Sequence, residues 1–149
     1  MTFAPNSIKP INLLLVEDSP TDVLLAREAL ESAKVLHSLT VVGDGVEALD
    51  FLHGRGAHIG AKLPDLILLD LNLPRKSGLE VLAELKADPV LKLIPVVVLT
   101  TSKSEEDIVR AYGHHANCYI IKPMDFDQFT RVVQSIQQFW FSIVTLPVV

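Results

Sequence analysis

The sequence has 149 residues, of which 49% are hydrophobic and 21% charged, with a formal net charge of −5. This length suits one domain with a buried core, and the acidic balance argues against a nucleic-acid-binding surface. Cys118 is the only cysteine, which excludes a disulfide within the chain. The first residues lack the pattern of a signal peptide, and no apolar run reaches the ~18–20 residues that span a bilayer. These features predict a cytoplasmic protein without a membrane partner.

Five short apolar runs predict five β-strands. They are rich in Ile, Leu and Val without alternating polar residues, which indicates strands buried on both faces, as in a parallel sheet. The runs cover 11–16 (INLLLV), 39–42 (LTVV), 65–70 (DLILLD), 95–100 (PVVVLT) and 118–121 (CYII).

Amphipathic stretches follow the strands and predict helices. They cover residues 19–33, 45–53, 77–87 and 104–112, and a fifth begins near Asp125. Ser19 and Ser104 are the expected N-caps of two of them. The Gly-rich segment 53–64 is expected to be a loop. Strands that alternate with helices predict an α/β fold, a (βα)5 doubly wound parallel sheet.

Polar residues gather where the predicted strands end, and in open α/β sheets ligand sites form at that edge. Glu17 and Asp18 follow the first strand, Asp70 and Thr100 end the third and fourth, and Lys122 follows the fifth. A strand order of 2-1-3-4-5 would bring these groups together. Clustered carboxylates repel one another unless a cation is present, and Mg2+ prefers oxygen ligands. The pattern favours a Mg2+ site beside a phosphoryl group, with Asp70 as the nucleophile; Mn2+ or Ca2+ could substitute.

Each of these residues also has an ordinary structural interpretation. Asp70 could cap a turn, Lys122 could be a solvated side chain before Pro123, and Tyr119 could simply be a core residue of the last strand. Glu17, Asp18 and Thr100 also stand at the ends of predicted strands. Their presence at the same edge favours the functional interpretation of Asp70 and Lys122.

Four motifs together resemble the receiver domain of two-component response regulators. They are LLLVEDS, LILLDLNLP, VVVLTTS and CYIIKP, which occur in the family's order. The resemblance extends from about Ile11 to about Phe141, and it implies a flavodoxin-like receiver domain over residues 8–143 with strand order 2-1-3-4-5. The sequence is then expected to carry no output domain.

The resemblance implies a role for each matching residue. Asp70 would be the phosphoacceptor. Asp18 would bind Mg2+, the backbone carbonyl of Asn72 would add a ligand, and Glu17 would contribute directly or through water. Thr100 would bond a phosphoryl oxygen.

The resemblance also implies features at and around the fifth strand. Lys122 would pair with the phosphoryl group, and a cis peptide between Lys122 and Pro123 would aim it inward. Tyr119 falls at the position of an aromatic switch that would move with Thr100.

A narrower resemblance concerns residues 53–108 and the ending FWFSIVTLP, which are similar to stand-alone regulators that pair with cyanobacterial phytochrome histidine kinases. The implied partner is therefore a phytochrome-type histidine kinase.

The last predicted helix has two apolar stripes. One stripe docks it on the sheet, whereas Val132, Phe139 and Ile143 form a second. An exposed second stripe favours a homodimer through the fourth and fifth helices; a core-only role is the alternative.

The expected function is that of a single-domain response regulator, not an enzyme with a separate substrate: it would catalyse its own phosphotransfer and dephosphorylation. A phosphohydrolase of the haloacid dehalogenase type is the alternative, but it would place a second Asp where this chain has Asn72, which cannot transfer protons. A pseudo-receiver that only binds partners would not require the intact acidic site.

Overall fold

The computed structural model describes residues 11–32, 37–101, 104–116 and 118–121, together with residues 127, 130, 131, 134 and 135. The chain alternates strands and helices throughout these ranges. The elements are β1 (Ile11–Val16), α1 (Pro20–Ser32), β2 (His37–Val42), α2 (Gly45–His53), β3 (Leu66–Leu69), α3 (Gly78–Ala87), β4 (Val96–Thr100), α4 (Glu105–Gly113) and β5 (Cys118–Ile121).

The five strands form one parallel sheet in the order β2-β1-β3-β4-β5. This confirms the predicted doubly wound α/β fold and its strand order. All five strands match the predicted runs closely, although β2 begins at His37, two residues before the apolar run. The segment 53–64 is not entirely irregular, because Gly56–His58 form a short 3-10 helix.

Successive residues of the central strands pack on opposite faces of the sheet. Leu14 and Val16 lie in a core beneath α2, α3 and α4, whereas Leu13 and Leu15 pack with Ala26 and other α1 residues. The centre of the sheet is therefore covered on both faces, which explains why β3 and β4 are apolar and buried throughout. The edge strand β2 differs from the prediction, because it contains polar residues and only Val42 is buried.

Side-chain caps fix where the helices begin. The Ser19 hydroxyl accepts from Asp22 N at 3.3 Å, and the Ser104 hydroxyl accepts from Asp107 N at 3.4 Å, as predicted. The first turn of α4 contains three acidic residues, whose negative charges interact favourably with the positive end of the helix dipole. The beginnings of these helices, and hence the lengths of the loops that enter them, are set locally by sequence.

The last predicted helix is described only at scattered positions. Residues 127, 130, 131, 134 and 135 are helical. Val132, Phe139 and Ile143 lie outside the described residues, as do Lys122 and Pro123. Among the described helices, none combines the length and apolarity that crossing a membrane requires.

Candidate metal and phosphoryl site

The carboxyl ends of β1 and β3 bring three acidic side chains together. Val16 and Leu69 are register partners at the ends of these strands, so the next residues, Glu17 and Asp70, leave the sheet at the same level. Carboxylate oxygens of Glu17, Asp18 and Asp70 all lie within 4.8 Å of one another. The predicted acidic cluster is thus present in the fold.

Backbone hydrogen bonds hold this edge in place. Glu17 N donates to Val42 O at 3.0 Å, and Asp70 N donates to Val16 O at 3.1 Å. These bonds continue the sheet past the last strand residues. As a result, β2 anchors the backbone of Glu17 and β1 anchors that of Asp70.

The three acids differ in exposure. Glu17 is 4% exposed and Asp70 is 7% exposed, whereas Asp18 is open to solvent. Carboxylates that are both close and poorly hydrated repel one another strongly. Oxygen donors in this arrangement fit a hard divalent cation, which would neutralise the repulsion while retaining water on the exposed side.

Two of the carboxylates accept bonds from nearby backbone amides. Glu17 Oε2 accepts from Ser19 N, and Asp70 Oδ1 accepts from Asn72 N, both at 3.3 Å. Each bond spans only two residues and fixes the carboxylate against the loop that follows its strand.

Thr100 and Tyr119 lie on the two strands beyond β3. Thr100 is fully buried as the last residue of β4, where it pairs in register with Ile121. Tyr119 is partly buried against the main core, and its backbone N–H donates to the Tyr112 hydroxyl at 3.2 Å. Thr100 therefore occupies the predicted carboxyl edge, while Tyr119 lies within β5. Their proposed switching roles stay predictions.

Sequence reasoning did not identify the residues that hold the loop after β3. Gly78 N donates to Leu71 O at 2.9 Å, and a Cβ on Gly78 would collide with the carbonyl oxygen of Asp70. Arg75 in the same loop pairs with Asp44, which caps α2. An Asp three residues before Glu47 signals a helix start, but the sequence offers no signal for its pairing with Arg75.

The fold and the acidic edge together define a class of signalling protein. Residues 13–134 match the family of response regulator receiver domains. The chain belongs to this family, and its flavodoxin-like sheet has the receiver strand order.

The chain is also similar over nearly its whole length to individual response regulators. The chain is 48% identical over 145 residues to the response regulator Rcp1 of Synechocystis sp., covering 97% of this chain and 99% of that protein. It is 50% identical to the phosphorylated cyanobacterial phytochrome response regulator RcpA, with a TM-score of 0.89, covering 93% and 99% of the two chains. The Mn2+-bound form of Rcp1 is 47% identical, with a TM-score of 0.86 and coverage of 93% and 100%. The predicted membership of the receiver family is confirmed. The predicted similarity to phytochrome-associated response regulators is also confirmed.

Proposed function

We propose that the protein is a single-domain response regulator that accepts a phosphoryl group on Asp70 from a sensor histidine kinase. The observation that carries this proposal is the meeting of Glu17, Asp18 and Asp70 within 4.8 Å at the carboxyl edge of the sheet. In the proposal, residues 8–143 form the receiver domain. The similarity to the response regulator Rcp1 over 145 residues, 99% of that protein, supports the assignment of a receiver domain.

The proposed reaction is a phosphoryl transfer from phosphohistidine to Asp70. A carboxylate oxygen of Asp70 forms a bond to phosphorus while the phosphorus–nitrogen bond breaks, and the electron pair of that bond returns to the kinase imidazole. Water later attacks phosphorus, which restores the Asp70 carboxylate and releases inorganic phosphate. The protein acts on itself in both steps, so the proposal requires no separate substrate pocket.

Asp18, Asp70 and the backbone carbonyl of Asn72 are the proposed ligands of Mg2+, with Glu17 binding directly or through water. When bound, the cation would neutralise charge on the phosphoryl oxygens. Mn2+ or Ca2+ could take its place, since both accept oxygen ligands. The described structure supports this assignment through the chemistry of its donors, three carboxylates of which two are nearly buried.

Thr100 and Lys122 complete the proposed phosphoryl site. The buried hydroxyl of Thr100 would donate to one phosphoryl oxygen, and the Lys122 ammonium would pair with another, aided by a cis peptide before Pro123. Tyr119 would then change position with Thr100. Support for this part comes from the place of Thr100 at the end of β4, next to β3; Lys122 and Pro123 lie outside the described residues.

A phytochrome-type histidine kinase is the proposed partner. The support is the 50% identity to RcpA, a cyanobacterial phytochrome response regulator, over nearly the whole of both chains. We propose that this signalling takes place in the cytoplasm, since a chain with one cysteine, Cys118, is compatible with reducing conditions.

We also propose a homodimer through α4 and the last helix. Val109 is 70% exposed and Tyr112 is 49% exposed on α4, one helical turn apart. An apolar patch of this kind suits a protein contact. Val132, Phe139 and Ile143 are the residues of the last helix assigned to it.

Phosphorylation by a small phosphodonor tests the function directly. Wild-type protein incubated with Mg2+ and acetyl phosphate should gain one phosphoryl group by intact mass, and Asp70→Asn should gain none. The isosteric amide removes the nucleophile while preserving shape, so it serves as the matched control. Addition of EDTA should abolish the modification, because the cation neutralises the developing charge. An unmodified wild-type protein, with small donors and with a histidine kinase alike, contradicts the proposal.

A further inference from the structure

We propose that the ion pair between Arg75 and Asp44 positions the loop of residues 71–77 and thereby raises the affinity of the acidic cluster for Mg2+. The inference rests on the proposed function, because it concerns the same metal site. Arg75 and Asp44 act through the loop, so they are positioning residues. They connect the loop after the phosphoacceptor strand to the beginning of α2.

Within this ion pair, Asp44 is held in place by its role as the N-cap of α2. Arg75 Nη1 lies 3.2 Å from Asp44 Oδ2, and the Asp44 side chain is only 16% exposed. The other oxygen, Asp44 Oδ1, accepts from Glu47 N at 2.7 Å and caps α2. Because the helix holds Asp44, its carboxylate offers a fixed anchor to the more exposed Arg75.

The loop backbone is also held against α2. Arg75 has a φ of 67°, in the left-handed region that is uncommon for residues other than glycine. A conformation of this kind persists where the surroundings fix it. At the next residue, the Lys76 carbonyl lies so close to Gly45 that a Cβ there would collide with it. Two successive loop residues thus contact the first turn of α2 or its cap.

The same loop leads back to the metal site. Gly78 N, just after the loop, donates to Leu71 O at its beginning at 2.9 Å and so closes the loop. Within the loop, the Asn72 N–H donates to the Asp70 carboxylate at 3.3 Å. Asn72, whose carbonyl is a proposed ligand, is three residues from Arg75. Mg2+ requires nearly ideal octahedral geometry. Loosening the loop at Arg75 should therefore weaken the metal site.

The test compares Mg2+ binding in variants that break the pair in two ways. Arg75→Asn retains a residue that tolerates the left-handed backbone but does not reach as far. Asp44→Ser keeps an N-cap for α2 and loses the partner of Arg75. We expect each variant to raise the Mg2+ dissociation constant by about two- to fivefold, the range for a partly exposed ion pair. The double variant should be no weaker than either single one, and Arg75→Lys should restore binding near that of wild type.

The sign of the Arg75→Asn effect distinguishes positioning from general electrostatics. Removing a positive charge should by itself strengthen the binding of a cation, whereas loss of positioning should weaken it. Arg55→Asn is the matched control, since it breaks the pair of Arg55 with Asp50 at the other end of α2, at 3.7 Å. Titration calorimetry would give the dissociation constants, and urea unfolding in EDTA would report stability separately.

Tighter or unchanged Mg2+ binding in Arg75→Asn overturns the inference, and so does equal weakening in Arg55→Asn. A wild-type protein that binds no Mg2+ contradicts the proposed function itself. Wild-type binding with unaltered variants contradicts the positioning role alone.

Discussion

The position of Asp70 is set by where strand β3 ends. Asp70 follows four buried aliphatic residues of β3 and is itself 7% exposed, yet its backbone leaves the sheet beside Glu17. Had β3 continued by one apolar residue, Glu17 would lie at this level of the edge without the Asp70 carboxylate beside it. The proposed chemistry of Asp70 thus depends on a one-residue boundary between a buried strand and a polar edge.

Lys86 provides a prediction at the same scale. Its ammonium donates to Ile94 O at 2.7 Å and Lys92 O at 3.1 Å, and burial lowers the pKa of its ammonium. Lys86→Met keeps most of the aliphatic stem and removes both bonds. Because the site is half-buried, we expect the free energy of unfolding at pH 7 to fall by only about 1 kcal/mol.

The pH dependence of this difference has a definite sign. A pKa lowered in the folded state means that the unfolded chain binds more protons between the folded pKa and the ordinary lysine pKa of 10.5. Wild-type stability should therefore rise relative to Lys86→Met as the pH increases through that window. Urea unfolding of both proteins from pH 7 to pH 10.5 measures the difference; a decrease on going to high pH would contradict the prediction.

A local cap and packing against the sheet together fix the position of α3. α3 begins at the Ser77 cap, where the Ser77 hydroxyl accepts from Glu80 N at 3.3 Å, and buries Leu79, Val81, Leu82 and Leu85. Its other face is exposed. Because this apolar stripe packs on the core, it fixes the position of α3. The loop of residues 71–77, which connects β3 to α3, must therefore end at that position.

Truncating one core side chain of α3 tests this dependence. Leu82 is completely buried, whereas Leu24 on α1 is 56% exposed and serves as the matched control. Leu82→Ala should lower the free energy of unfolding by about 2–5 kcal/mol, because it removes buried apolar area and leaves a cavity. Leu24→Ala should change it by less than about 0.5 kcal/mol. Equal effects in a denaturant titration would show that the α3 stripe is not the main anchor.

At the scale of the whole molecule, the parallel sheet concentrates chemistry at one edge. Strands β1, β3 and β4 are neighbours although helices separate them in sequence, and their carboxyl ends point the same way. The acidic cluster and Thr100 therefore lie at the edge where ligand sites form in open α/β sheets.

The dimer is the prediction that belongs to this scale. Phe139→Asp places a charge in the proposed interface and should shift sedimentation from dimer to monomer, because a buried unpaired charge is costly. Val109→Asp on α4 should act in the same direction. Ile59, which is 79% exposed near the 3-10 helix, provides the control Ile59→Asp, which should remain dimeric. Monomeric wild-type protein, with and without a phosphoryl mimic, would rule out the proposed interface.

The sequence by itself determined the elements and the polar residues at their ends. Continuous runs such as residues 66–69 and 96–100 specify buried strands, and Ser19 and Ser104 specify helix starts, because these preferences depend on neighbours a few residues apart. Only the tertiary structure decided that the Glu17, Asp18 and Asp70 oxygens lie within 4.8 Å, and that Arg75 pairs with Asp44. Such contacts join residues distant in sequence, and their geometry is fixed by how the helices pack on the sheet.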